Sequence, residues 1–213
     1  YSDAMPGRRP SARTRILDVA DRLFSERGIR AVGVEAIVAA ADTAKTTLYS
    51  HFGSKEALVV AYLECRAARE RERLAHAVAS YPGPATERLL HLYDLLADTL
   101  AEPGFRGSPF INACVELGPD HPAAATARAH RHWLPATFAE LAAACGAPAP
   151  ADLAAPLLQL YEAAMIATPS ERDPARTAKS AAASLLSARL PAQASRPDAS
   201  PEVGIVAGRR TEG

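Results

Sequence analysis

Two short amphipathic repeats separated by only three residues constrain the fold of this chain more than any other feature. The first repeat places apolar side chains at the i, i+3, i+4, i+7 spacing of one helix face, at Val34, Ile37, Val38 and Ala41. The second places Leu48 and Phe52 four residues apart. Because Asp42–Ala44 is long enough only for a turn, the pattern predicts a helix-turn-helix.

The same periodicity predicts helices along most of the chain, with glycine, proline and capping residues at their ends. The predicted helices cover residues 10–27, 34–41, 45–52, 54–80, 86–101, 108–117, 120–145, 150–167 and 173–190. This is an all-α fold of about nine helices. We predict a helix-turn-helix domain at 8–53, a second helical domain at 54–190, and a flexible Pro-, Ala-, Ser- and Gly-rich tail at 191–213.

The second helix of the motif carries several polar side chains around its apolar stripe. Six of them are spread over the faces that Leu48 and Phe52 leave free, and most must point outward: Lys45, Thr46, Thr47, Tyr49, Ser50 and His51. A helix entering the major groove needs such short donors to reach base edges and phosphates. The alternative is a weak surface helix with cap-forming residues at its ends, and spacing alone favours neither interpretation.

Positive charge is concentrated at the N-terminus, although the 24 basic and 24 acidic residues of the chain balance. Residues 8–30 contain seven arginines and only three acids. A bias of this kind usually marks a solvated face. Next to a helix-turn-helix it indicates a polyanion partner and makes Arg8 and Arg9 candidate DNA contacts.

The stretch VEAIVAAADTAKTTLYSHFGSKEAL, residues 34–58, resembles the DNA-binding signature of the TetR (tetracycline repressor) family. The resemblance implies a double-stranded DNA operator as partner, and a C-terminal helical domain for ligand binding and dimerisation. It further implies that Lys45 and Thr46 lie nearest the base edges. The implied backbone contacts are Thr47, Tyr49, His51 and Lys55, with Thr43 of the turn as a further contact.

Three positions depart from the family pattern around the turn. Gly33 caps the second helix, and this change costs only a few tenths of a kcal/mol. Asp42 replaces the usual glycine, and aspartate adopts the left-handed conformation that the turn requires. Ala44 has no side-chain acceptor, so the recognition helix loses a cap contribution of roughly 1 kcal/mol.

The last two helices carry stripes that either close the core of a monomer or pair with a second copy. The stripe residues are Leu157, Leu160, Ala164, Ala178, Ala181, Ala182, Leu185 and Arg189. One recognition helix reads few base pairs, so such proteins commonly dimerise and place two helices about 34 Å apart. The resemblance implies a four-helix bundle of these helices, and we therefore expect a homodimer.

The segment GFRGSPFINACVELG, residues 104–118, marks the expected ligand site, because the family places its effector near this helix. The resemblance implies that helices 4, 5, 7 and 8 enclose it. The candidate pocket residues are Phe110, Asn112, Cys114, Glu116, His132, Trp133, Tyr161 and Met165. A mostly apolar set with a few polar groups favours a hydrophobic or aromatic small molecule.

Other function classes receive less support from the residues. An enzyme could pair Cys114 with His121, His130 or His132, or Cys65 with His76, but no nucleophile elbow or glycine-rich phosphate loop occurs. We predict no catalytic residue, no cofactor and no metal. A redox sensor based on Cys114 remains open as an alternative.

The expected location is the cytoplasm. No run of eighteen apolar residues could span a membrane, and the first ten residues lack the apolar stretch of a secretory signal.

Overall fold

The computed structural model describes residues 10–102, 104–166 and 173–191. This part of the chain is all-α, as predicted, and contains nine helices: α1 (Ala12–Arg27), α2 (Val34–Ala40), α3 (Lys45–Phe52), α4 (Lys55–Ser80), α5 (Ala85–Leu100), α6 (Pro109–Leu117), α7 (Pro122–Ala144), α8 (Pro150–Met165) and α9 (Pro174–Arg189). None of these helices combines the length and apolar character that crossing a bilayer requires. The predicted tail lies outside the described residues, apart from Pro191.

Side-chain caps explain why several helices begin where they do. The side chains of Ser11, Ser54, Ser108 and Asp173 each accept a backbone N–H from the first turn of the following helix. Proline occupies the first turn of α6 to α9, where its missing N–H has no intrahelical acceptor. These local signals are readable in the sequence, and the predicted helix ends therefore lie within two residues of the observed ones.

The first three helices form a compact helix-turn-helix unit. Ile16 of α1, Ile37 of α2 and Leu48 of α3 are completely buried against one another. Asp42 has a φ of 49°, which confirms the predicted left-handed turn residue. Ala44 makes no side-chain cap, as predicted, so α3 begins with its first N–H groups free of a side-chain acceptor.

Helix α4 is shared by two hydrophobic cores. Its first half, from Leu58 to Ala67, packs into the core of α1 to α3, whereas Leu74 belongs to a second core built mainly from α5, α7, α8 and α9. The first core also includes Phe110 and Ala113 of α6. Helix α6 therefore packs against the helix-turn-helix unit, although the chain reaches it only after α5. The predicted domain boundaries at 53 and 190 stay a prediction.

Half of the residues predicted for the dimer surface are instead buried within the chain by the packing of α8 and α9. Leu157, Ala164, Ala178 and Ala182 are buried in the chain's own second core, against α5 and α7, and are not available to a partner. The apolar stripe of each helix is its inward face, which is the usual arrangement for an amphipathic helix. Leu160, Ala181 and Leu185 are half-buried and Arg189 is exposed, so these four remain candidates.

Candidate nucleic-acid interface and adjoining cavity

Helix α3 presents a polar surface to solvent on the side opposite its buried leucine. Thr46, Ser50 and His51 are exposed, and the ring of Tyr49 keeps 40% of its surface accessible. Thr43 and Thr47 are half-buried at the turn and on the flank of the helix. The candidate contacts of this helix therefore form one accessible surface.

Both lysines of the predicted interface already have hydrogen-bond partners. Lys45 Nζ lies 2.7 Å from Glu35 Oε1, and this carboxylate raises the pKa of Lys45. Lys55 is half-buried, and its Nζ donates to the carbonyl oxygen of Ile29 at 2.9 Å. A phosphate or base contact by either lysine would thus exchange an existing interaction for a new one.

The N-terminal end of α1 adds basic groups that the sequence analysis did not single out. Arg13 lies over the ring of Phe52, 5.3 Å from its centroid, and Arg15 Nε donates to the carbonyl of Ala41 at 3.3 Å. Both guanidinium groups therefore flank the helix-turn-helix. Arg8 and Arg9 lie outside the described residues.

A cavity of about 260 Å³ lies between the helix-turn-helix unit and the second core. Its walls come from the end of α1, the middle of α4, the end of α5, the loop before α6, α6 itself and α8. The resemblance implied enclosure by helices 4, 5, 7 and 8. The structure instead adds Phe24, Ser25 and Ile29 from α1 and its loop, and α7 contributes only to a smaller neighbouring cavity of about 20 Å³.

Five of the eight predicted pocket residues line the larger cavity: Phe110, Asn112, Glu116, Tyr161 and Met165. The other three do not. Cys114 packs against the first core, and Trp133 packs against the second core with Arg71 over its ring. His132 is exposed, because it lies two positions beyond the buried His130 and therefore on the opposite face of α7.

The charged wall of the cavity, which α4 supplies, was not predicted from the sequence. Arg66, Arg69, Glu70 and Arg73 all line it. Their i, i+3, i+4, i+7 spacing is the signal that places all four on one helix face. Spacing alone does not distinguish an enclosed charged face from a solvated one.

Two residues of the cavity wall, Arg66 and Glu116, also hold the helix-turn-helix unit in place. Arg66 donates to the carboxylate of Asp21 and to the hydroxyl of Ser25, both on α1. Glu116 accepts the backbone N–H of Arg30 at 2.9 Å. Gly28 permits this approach, because a Cβ there would lie 2.9 Å from the Glu116 carboxylate and its φ of 87° disfavours other residues.

A buried histidine and a half-buried glutamate line the smaller cavity, and the glutamate lines the larger one as well. His130 of α7 is 3% exposed, stacks on Phe110 at 3.7 Å between ring centroids, and places Nε2 3.3 Å from Glu70 Oε2. Its Nδ1 has no hydrogen-bond partner in the described part of the chain. Burial, helped by Arg71, lowers the pKa of His130 to about 4, and burial raises the pKa of Glu70.

We expect the free energy of unfolding to fall less steeply with decreasing pH in the His130→Gln variant than in the wild type. In the unfolded chain His130 titrates near its ordinary pKa of 6.5, whereas its pKa in the folded protein is about 4. The unfolded state binds more protons between these values, so this group lowers the free energy of unfolding as the pH falls from about 6.5 to 4, by at most about 3 kcal/mol.

Urea unfolding at a series of pH values measures this slope in the wild type and the variant. The matched control is His132→Gln, an exposed histidine two residues away, which should keep the wild-type slope. Glu70 contributes in the opposite sense, because its raised pKa stabilises the fold below that pKa and the gain is lost as the pH rises through it. The difference between the two variants is therefore the decisive quantity, and identical slopes would contradict the prediction.

The described residues contain no disulfide and no cluster of metal-binding side chains. The three cysteines, Cys65, Cys114 and Cys145, are free and half-buried. Over residues 10–102, 104–166 and 173–191, no group of three His, Cys, Asp or Glu side chains lies close enough together to hold a metal ion.

Known proteins are similar to this chain both in the sequence of the helix-turn-helix and in the fold. Residues 16–62 match the model of the bacterial regulatory proteins of the tetR family. The structure of SCO4454, a TetR-family transcriptional regulator from Streptomyces coelicolor, is similar with a TM-score of 0.78 and 32% identity, over 84% of this chain and 95% of that one.

Two curated relatives match over the N-terminal region. The uncharacterized HTH-type transcriptional regulator Rv1255c of Mycobacterium tuberculosis is 40% identical over 79 residues, which are 37% of this chain and 39% of the relative. The HTH-type transcriptional repressor KstR2 of Rhodococcus jostii is 51% identical over 47 residues, which are 22% of this chain and 23% of the relative. The chain thus spans less than half the length of the curated relatives it matches.

Proposed function

The chain belongs to the TetR family of bacterial transcriptional regulators, and we propose that it is a repressor that binds an operator as a homodimer and is released by a small-molecule effector. The observation that carries this proposal is that the cavity and the helix-turn-helix share side chains. Arg66 and Glu116 line the cavity and at the same time contact α1 and the loop after it. A molecule in the cavity would therefore meet the groups that position the DNA-binding surface.

In the proposed complex, α3 enters the major groove. Lys45 and Thr46, in the first turn of α3, lie nearest the base edges. The sugar-phosphate contacts come from the flanks and the neighbouring segments: Arg8, Arg9, Thr43, Thr47, Tyr49, Ser50, His51 and Lys55. Arg13 joins this set, because its guanidinium lies beside Phe52 at the end of α3.

Release follows if the effector prefers a different arrangement of α1 and α4. A ligand that competes for Arg66 weakens its contacts to Asp21 and Ser25, and displacement of α6 weakens the contact between Glu116 and Arg30. Either change tilts the helix-turn-helix unit relative to the second core. In a dimer this alters the spacing of the two recognition helices, so operator affinity falls.

The dimer would form through the outer faces of α8 and α9. These faces carry mostly small side chains, including the exposed Ala155 and Ala163 of α8 and Ser180 and Ser184 of α9. They also carry the exposed Ile166, which retains 62% of its accessible surface at the end of α8. Small residues allow two copies to approach closely. Under this proposal residues 54–190 form the ligand-binding and dimerisation domain of a cytoplasmic protein.

Two measurements test the proposed function. Selection of bound duplexes from a random DNA pool tests operator recognition, and light scattering of the free protein tests the homodimer. We expect an enriched pseudo-palindrome whose half-sites are one helical turn apart, and a free protein with twice the mass of the chain. A monomer at micromolar concentration would rule out the homodimer, and failure to enrich any sequence would rule out operator recognition.

Variants of α3 should separate base reading from backbone contact. We expect Thr46→Ala to change the preferred bases, because its side chain lies in the first turn of the recognition helix. Tyr49→Phe should weaken binding to all duplexes alike, by about two- to tenfold, because a single hydroxyl contact to the backbone is lost. Binding to duplex variants of the selected operator measures both effects. A uniform loss in Thr46→Ala together with changed preference in Tyr49→Phe would contradict the assignment.

A further inference from the structure

One end of the larger cavity combines a cationic donor with a hydroxyl donor. Arg73 of α4 and Tyr161 of α8 both line it. Tyr161 is 2% exposed, and no hydrogen bond or ion pair joins its hydroxyl or the Arg73 guanidinium to another described residue. Burial raises the pKa of Tyr161 most, Glu70 raises it further and Arg73 lowers it, so the guanidinium lies within electrostatic range of the hydroxyl.

The other charges that face the cavity are mostly already compensated. Arg66 and Arg69 share the carboxylate of Asp21, and Arg69 also contacts Asp18. On the acidic side, Glu116 accepts the N–H of Arg30. Glu70 lies three residues before Arg73 on α4, and the charge of Arg73 lowers the pKa of Glu70 against the larger effect of burial.

Three charged residues of the cavity wall form no ion pair with a described residue: Arg73, Arg106 and Glu102. Arg106 donates only to the carbonyl oxygen of Glu26, at 3.3 Å, which leaves its charge uncompensated. The guanidinium groups of Arg73 and Arg106 are thus available to pair with the carboxylate of a bound molecule.

The rest of the cavity wall is apolar and limits the size of an occupant. Phe24, Phe105, Phe110 and Met165 supply aromatic and thioether surface. The volume of about 260 Å³ lies just below the range of about 300–1,000 Å³ that is typical for drug-sized ligands. A compact molecule with one apolar body and one polar end fits these dimensions.

From this arrangement we propose that the effector is a small organic acid, whose carboxylate is bound by Arg73 and Tyr161 and whose apolar body packs against Phe105, Phe110 and Met165. A guanidinium offers parallel N–H donors that match a carboxylate, and the phenol adds a charge-assisted bond to the same group. The inference rests on the proposed function, because it assigns the chemical class of the effector that the repressor would sense.

Three probes that differ only in their polar end test the assignment on the full chain by calorimetry without DNA: 4-phenylbutyrate, 4-phenylbutan-1-ol and 4-phenylbutylamine. We expect the acid to bind at least about tenfold more tightly than the alcohol, and the amine to bind most weakly, since a charge-assisted hydrogen bond exceeds a neutral one. Equal affinity of acid and alcohol, a preference for the amine through Glu102, or no binding of the acid at millimolar concentration would overturn the proposal.

Variants of the cavity wall then identify the carboxylate site. Arg73→Gln should weaken binding of 4-phenylbutyrate about tenfold or more and leave the alcohol within about twofold, and Tyr161→Phe should act in the same direction with a smaller effect. The matched control is Arg69→Gln, whose side chain also lines the cavity but is engaged by Asp18 and Asp21. An acid affinity unchanged in both Arg73→Gln and Tyr161→Phe, with the cooperative unfolding transition intact, would overturn the site.

The outcomes for this site and for the proposed function are distinguishable. An acid that binds through Arg73 but leaves the selected duplex bound would contradict effector release and leave the carboxylate site standing. A protein that binds its duplex tightly and shows no preference for the acid would contradict the carboxylate site alone.

Discussion

Replacing Phe138 with alanine should lower the free energy of unfolding by about 3–5 kcal/mol, the range for large-to-small aromatic substitutions in a packed core. Phe138 of α7 is completely buried in the second core, and its ring meets the ring of Tyr161 edge to face at 5.6 Å between centroids. The variant loses both the transfer of the ring from water and the aromatic contact, and α7 and α8 cannot close the cavity completely.

Chemical denaturation at constant pH measures this loss. The control is Val115→Ala, a residue of α6 that is 80% exposed, which should change the free energy of unfolding by no more than about 0.5 kcal/mol. A loss below about 1 kcal/mol in Phe138→Ala would mean that the second core is not packed around this ring.

Asp21→Asn should lower the free energy of unfolding by about 2 kcal/mol and weaken duplex binding. Asp21 is the shared carboxylate of Arg66 and Arg69, and its side chain is only 16% exposed. The substitution keeps the shape of the side chain but leaves two guanidinium groups without their common counter-charge. Removing one partner of a buried pair costs more than this, and the partial exposure of Arg66 and Arg69 reduces the effect.

Asp18→Asn provides a matched control one turn earlier on α1. Asp18 is 55% exposed and contacts Arg69 at 3.5 Å, so its loss should cost less than about 0.5 kcal/mol. Unfolding measurements and duplex affinities are needed for both variants. Equal effects of the two substitutions would show that the contact between α1 and α4 does not depend on the buried carboxylate.

The helix-turn-helix could be predicted closely from the sequence because its determinants are local. The observed α3 has the predicted ends, Lys45 and Phe52, and Asp42 takes the predicted left-handed conformation in the turn. Caps, turn residues and the 3.6-residue period act over a few positions and can be read from neighbours in the chain.

The cavity could be predicted only in part. Five residues of α6 and α8 were predicted to line it, but Arg66 and Arg73 of α4 were not. The period places these arginines on one face of α4. Whether that face meets water, α1 or α8 depends on how helices far apart in the chain pack against one another.

The two stripes on α8 and α9 show the same limit. Periodicity indicated correctly that each helix has an apolar face, yet it could not tell a face that closes the chain's own core from one that meets a second copy. Four of the eight stripe residues belong to the core, because α8 and α9 pack on α5 and α7.

The sequence by itself determined the helices, the turn and the polar side chains that α3 exposes, because hydrogen bonding, capping and side-chain period are set within a few residues of each position. Only the tertiary structure decided that α6 joins the first core, that Glu116 holds the loop after α1, and that Arg73 and Tyr161 both line one cavity. The contact between Glu116 and Arg30, for example, joins residues 86 positions apart in the chain. Such long-range contacts arise because helices pack their apolar faces against one another. This packing brings polar side chains next to partners that no local pattern specifies.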